Sequence, residues 1–68
     1  MAGYFQRARV EKVVRNAGAV RVSQDALDKM NEILSDRGMQ IAKLAVEISR
    51  HSGRKTVQEE DIRIAASK

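Results

Sequence analysis

Apolar residues return every seven positions through the middle of the chain, at Leu27, Leu34, Ile41 and Ile48, with Met30, Ile33, Leu44 and Ala45 beside them. A repeat of this kind marks one face of an amphipathic helix. Its punctuation places the ends. Ser23 is a good N-cap, and Asp25 suits the positive end of the helix dipole. Arg50 and His51 complement the negative end, and Gly53 fits a left-handed cap. From Ser23 to Ser52 the chain has no proline and one glycine, Gly38. The stripe is wider than a two-helix seam needs, so the helix should touch several others. Arg37 interrupts this face with no evident reason.

Two shorter helices flank it. Val10, Val13, Val14 and Ala17 share one helical stripe and predict a first helix over about residues 5–17, stopped by Gly18. Arg7, Arg9, Lys12 and Arg15 fan across its opposite face, with only Glu11 against them. The connection Gly18-Ala19-Val20-Arg21-Val22 is short, and its valines favour an extended backbone. Arg54-Lys55-Thr56-Val57 is a second short extended connection. A last helix over about residues 58–67 opens with Glu59, Glu60 and Asp61. It is expected to bury Ile62, Ala65 and Ala66, with Ile64 to one side, and Thr56 and Glu59 stand at capping-box spacing. The expected architecture is all-α, in a single domain covering residues 1–68.

The central helix poses a problem of size. A helix of about thirty residues is roughly 43–45 Å long. A compact monomer of 68 residues is roughly 28 Å across. The rod outruns its own globule, so its apolar face calls for a second chain. Small domains are otherwise stabilised by disulfides or a metal. The chain has no cysteine, and its one histidine, His51, cannot build a structural zinc site within one chain. An obligate oligomer remains. Gly38 would let two central helices cross with close backbones; the alternative is a tolerated exposed glycine.

Charge narrows the partner. The net charge is +4, which doubles to +8 in a homodimer, and eight of the thirteen basic residues are arginine. A compact basic domain points to a polyanion, with nucleic acid first and an anionic membrane surface second. Ordinary solubility charge is the plain alternative. No apolar run reaches the length of a membrane span, and Met1-Ala2-Gly3-Tyr4-Phe5 lacks the stretch of a signal peptide. The expected location is the cytoplasm, at the nucleoid. His51 has no cysteine, glycine-rich phosphate loop or paired catalytic acid beside it, so neither an enzyme, a cofactor nor a metal site is expected.

Several segments carry a resemblance. They are Ala17-Gly18-Ala19-Val20-Arg21-Val22-Ser23, Ile41-Ala42, and Arg50-His51-Ser52-Gly53-Arg54-Lys55-Thr56-Val57 through Asp61-Ile62. The chain resembles an archaeal-type histone, the minimal histone fold, from about Val10 to Ala66. Where similar histones carry a proline-containing segment before the first helix, this chain has Gly3-Tyr4-Phe5-Gln6.

The resemblance implies an obligate head-to-tail dimer, in which the first loop of one chain lies beside the second loop of the other. It implies that Arg21 enters the minor groove of DNA and that Thr56 steadies it. Lys55 would bind backbone phosphate, and Lys12 and Arg15, with Arg9 on the same basic face, would line a central site where the first helices meet. Read alone, those α-helical cations also fit a solvated face. Arg54 would pair with Asp61 and lock the second loop to the last helix. His51 would meet the Asp61 of a neighbouring dimer, with Ile48 and Ile64 around the contact; a helix cap is the alternative for His51. The function expected is packaging of double-stranded DNA with little sequence preference, by dimers that join into tetramers or larger stacks. A partner histone in a heterodimer is possible, and the alternative function is a histone-fold subunit of a transcription-regulatory heterodimer.

Overall fold

Among the described residues three helices form, in the expected order short, long, short. The computed structural model describes residues 3–18 and 21–68, with α1 at Arg7–Asn16, α2 at Gln24–His51 and α3 at Glu59–Ala66. No strand forms among the described residues. The extended backbone expected at Ala19 and Val20 lies outside them, as do Met1 and Ala2. The chain divides into two compact units, Met1–Asp36 and Arg37–Lys68, and α2 contributes to both.

In the first unit, α1 starts two residues later than its apolar pattern suggests. The cause is a polar clamp. The side-chain amide of Asn31 donates to the Phe5 carbonyl at 2.6 Å, and its oxygen accepts the Phe5 N–H at 3.1 Å. The Ser35 hydroxyl accepts the Tyr4 N–H at 2.8 Å and donates to Asn31 Oδ1 at 3.2 Å. With its backbone held this way, Phe5 stays out of the helix, and Gln6 becomes the N-cap in extended conformation (φ −72°, ψ 140°). Asn31 and Ser35 are both buried, as are Val10 and Leu27 of the same unit. Gly3 passes so close that a Cβ there would collide with the Asn31 side chain, the Ser35 hydroxyl and the Asn31 backbone oxygen. This is how the proline-free entry to α1 is anchored.

At the head of α2, the Ser23 hydroxyl accepts the Ala26 N–H at 3.0 Å, the N-cap bond expected of it. At its foot, Gly53 takes a left-handed φ of 74°, and Arg54 N–H returns to the Ser49 carbonyl at 3.0 Å.

In the second unit, Ala45 and Ala65 are buried with two polar residues, Ser49 and Asp61. The capping box expected from Thr56 and Glu59 does not form there. Gln58 is the N-cap of α3, and its N–H donates to Asp61 Oδ2 at 2.8 Å. Asp61 wins because it is already drawn inward by Arg54. The buried face of α3 is then set by Asp61 and Ala65 at i and i+4, which leaves Ile62 and Ala66 exposed rather than buried. Arg37 also gains a role. Its Nη2 donates to the Ala66 carbonyl at 3.1 Å, and Nη1 reaches Gln40 Oε1 at 3.5 Å. The carbonyl at a helix C-terminus has no partner within the helix, and Arg37 supplies one.

The apolar stripe of α2 remains largely uncovered. Leu27 is buried, but Leu34 is exposed and Ile41 and Ile48 are only half-buried. Val13 and Ile33 are each 55% exposed, and Met39, Ile62 and Ile64 are exposed as well. Fully burying a large apolar side chain is worth roughly 1.5–3 kcal/mol. A single chain forgoes much of that here.

Candidate nucleic-acid interface

The basic residues divide by whether the chain neutralises them itself. In the first unit, Arg7 Nη2 pairs with Asp28 at 2.7 Å and Arg15 Nη2 with Glu11 at 2.6 Å. Lys29 pairs with Glu32 at 2.8 Å. Arg9, Lys12 and Arg21 are exposed and make no ion pair among the described residues. α1 has no acid in its first turn, and its N-cap Gln6 makes no side-chain bond to the helix. The positive end of its dipole therefore reinforces Arg9 in favouring an anion. Arg21 stands just before Ser23, so the cap that starts α2 fixes the backbone close to it.

In the second unit the loop after α2 is built around Arg54. Its guanidinium grips Asp61 with two bonds, Nη1 to Oδ2 at 2.9 Å and Nη2 to Oδ1 at 2.7 Å. Nη1 also donates to the Thr56 carbonyl at 3.2 Å. From the other side, the buried Ser49 hydroxyl lies 3.2 Å from the Arg54 carbonyl and 3.1 Å from the Thr56 carbonyl. The Asp61 side chain is 1% exposed. Arg54 first, and the Gln58 N–H second, hold its carboxyl down at about 2, while Asp61 raises Arg54. Such a two-pronged, charge-assisted contact fixes geometry as well as charge. It spends Arg54 on structure and leaves its neighbours Lys55 and Thr56 exposed on a braced loop.

His51 is the last residue of α2 and is exposed. No hydrogen bond joins it to Asp61 among the described residues. Ile48 is half-buried and Ile64 exposed. Asn31, Ser35 and Ser49 escape sequence reasoning because their partners are backbone groups, which leave no mark in the residue pattern. No group of three or more potential metal ligands occurs among the described residues, and no helix there is long and apolar enough to cross a membrane.

A family model described as histone-like transcription factor (CBF/NF-Y) and archaeal histone matches residues 4–66. The chain belongs to this family. As a member of the archaeal-histone family it is a DNA-binding histone-fold protein and not an enzyme. Among its relatives is one of the subunits of archaeal histone HAN1 from Thermococcus zilligii, 45% identical over 58 residues, which cover 85% of this chain and 87% of that one. Another is probable archaeal histone 3 of Methanocaldococcus jannaschii, 37% identical over 54 residues, covering 79% and 81%. Membership in this family implies dimerisation.

Proposed function

We propose that this protein packages duplex DNA at the nucleoid, bending and wrapping it as head-to-tail dimers that join into tetramers or longer stacks. The observation that carries the reading is the pattern of charge neutralisation. The second loop satisfies Arg54 internally and leaves Lys55 exposed without an ion pair among the described residues, and Arg9, Lys12 and Arg21 are left in the same state. In this reading Arg21 enters the minor groove, Thr56 steadies it and Lys55 takes backbone phosphate. Arg9, Lys12 and Arg15 line a central site where two copies of α1 meet. Histone octamers bind in this way, with minor-groove arginines and no base-specific contacts. The partner's α2 crosses near Gly38, where an added Cβ would meet open space in the single chain.

Affinity then comes mainly from counterion release, so log K against log salt should fall by about 0.9 for each phosphate neutralised. The test is duplex titration of wild type and Arg21→Ala over a range of salt. The variant should bind more weakly with a shallower slope and an unchanged melting temperature. A shallow wild-type slope with strong preference for one sequence would defeat the packaging reading.

Stacking of dimers is assigned to His51, Ile48 and Ile64 beside Asp61. A carboxylate offers about four acceptor sites. Arg54 and Gln58 take three of those on Asp61, so a neighbour's His51 would have to use the last. Crosslinking on DNA should show dimers but fewer tetramers for His51→Lys. An unchanged ladder would remove His51 from the contact.

A second reading is a histone-fold subunit of a transcription-regulatory heterodimer. The family description includes transcription factors, and the Thermococcus relative is named as one subunit of an archaeal histone. Sedimentation of the chain by itself separates the two. A stable homodimer favours packaging, and an unfolded or aggregated chain rescued by a different histone favours the heterodimer.

A further inference from the structure

Not all the cations of α1 are equally available to DNA. Arg15 presents Nε and Nη2 to a single oxygen, Glu11 Oε2, at 2.7 and 2.6 Å. The donors of that guanidinium edge, which could otherwise grip a phosphate, are occupied. Glutamate four residues before a basic residue is the favourable order on a helix. The pair forms even though the side chains are 53% and 35% exposed. Arg9 and Lys12, on the same helix, have no such anion among the described residues.

We propose that Glu11 sets DNA affinity by competing with phosphate for Arg15. The inference rests on the packaging reading and names a residue which that reading leaves out. To engage a phosphate, Arg15 must exchange one anion for another. The displaced carboxylate then remains beside the incoming phosphate and repels it. Because the pair is open to solvent, the exchange is reversible and sensitive to salt. Arg9 and Lys12 bind without this competition, so Glu11 weakens the Arg15 contact and spares theirs. A packaging protein must also be removable from DNA. An anion built into the binding face lowers affinity without deleting a contact.

The experiment is a double-mutant cycle on duplex affinity, using Glu11→Gln, Arg15→Gln and the two together, with a mixed-sequence duplex as the probe. Glu11→Gln should bind about three- to tenfold more tightly at low salt, with a slope steeper by about 0.9 for each phosphate gained. In the Arg15→Gln background the same change should alter affinity by less than about twofold. Equal gains in both backgrounds would reduce Glu11 to a general charge effect and overturn the proposal. So would the absence of any gain while wild type still binds with a steep slope. Wild type that shows no salt-dependent duplex binding would instead overturn the packaging reading itself. Thermal melting of each variant, on this exposed helix face, confirms that the folded state is being compared.

Discussion

Two segments of this chain are held in place by polar side chains, and they are held by different chemistry. The entry to α1 is held by neutral groups: Asn31 pairs with both backbone groups of Phe5, and Ser35 takes the Tyr4 N–H. The loop before α3 is held by an ion pair, Arg54 with Asp61, and braced by Ser49. A neutral clamp carries no dependence on pH or salt. An ionic clamp is stronger per contact, but losing one partner leaves the other's charge unpaired, fully buried for Asp61 and partly buried for Arg54. The ionic clamp lies where exposed loop residues must be held in place, at Lys55 and Thr56. The neutral one only has to set where α1 begins.

The largest expected effect therefore falls on the ionic side. Asp61→Ala strands the Arg54 guanidinium and removes the acceptor for Gln58, and should lower the melting temperature by at least about 10 °C. The pH dependence follows from the sign of the shift. Asp61 has a folded value of about 2, below its ordinary 3.8. Its contribution is complete above about pH 4 and is lost as pH falls through about 2. Wild type should thus lose stability over that interval more steeply than Asp61→Asn. Parallel acid profiles for the two would show that the clamp contributes little.

The neutral clamp should break with a smaller and flatter effect. A methyl at residue 3 meets the backbone oxygen of Asn31 as well as two side chains. The side chains can turn away, but the backbone cannot. Gly3→Ala should release the N-terminal segment at about 1–3 kcal/mol, the range for stranding buried polar groups, and Asn31→Ala should match it. Amide exchange at Tyr4 and Phe5 would quicken while α2 stays protected. A loss as large as that of Asp61→Ala would erase the distinction between the two clamps.

The two clamps also differ in how legible they were. Three helices follow from apolar spacing alone, because a helix face repeats and a repeat can be read. Arg54 and Asp61 follow from a motif in which both partners are side chains. Asn31 and Ser35 could not be found that way. A polar residue within an apolar stripe looks like a fault until its backbone partner is seen. The same holds for Ser49. The cap of α3 moved from Thr56 to Gln58 because Asp61 serves two partners at once, which spacing rules treat one at a time. Arg9, Lys12, Arg21 and Lys55 were visible as charges, yet only the pairing pattern separates them from Arg7 and Arg15.

Arg37 offers the smallest and most discriminating case, since it combines features of both clamps. Its donor is charged, like that of Arg54, but its acceptor is the Ala66 backbone carbonyl, neutral like those of the α1 entry. It is exposed, so Arg37→Ala should cost only about 0.5–1 kcal/mol, the low end for a single hydrogen bond. Arg37→Lys should recover part of that, because an ammonium can also donate to a carbonyl. The contact contains no carboxylate. The difference in melting temperature between wild type and Arg37→Ala should therefore hold constant through the interval where the Asp61 contribution fades. A difference that shrank with Asp61 would mean that Arg37 acts through the Arg54 clamp, and that α3 has one fastening rather than two.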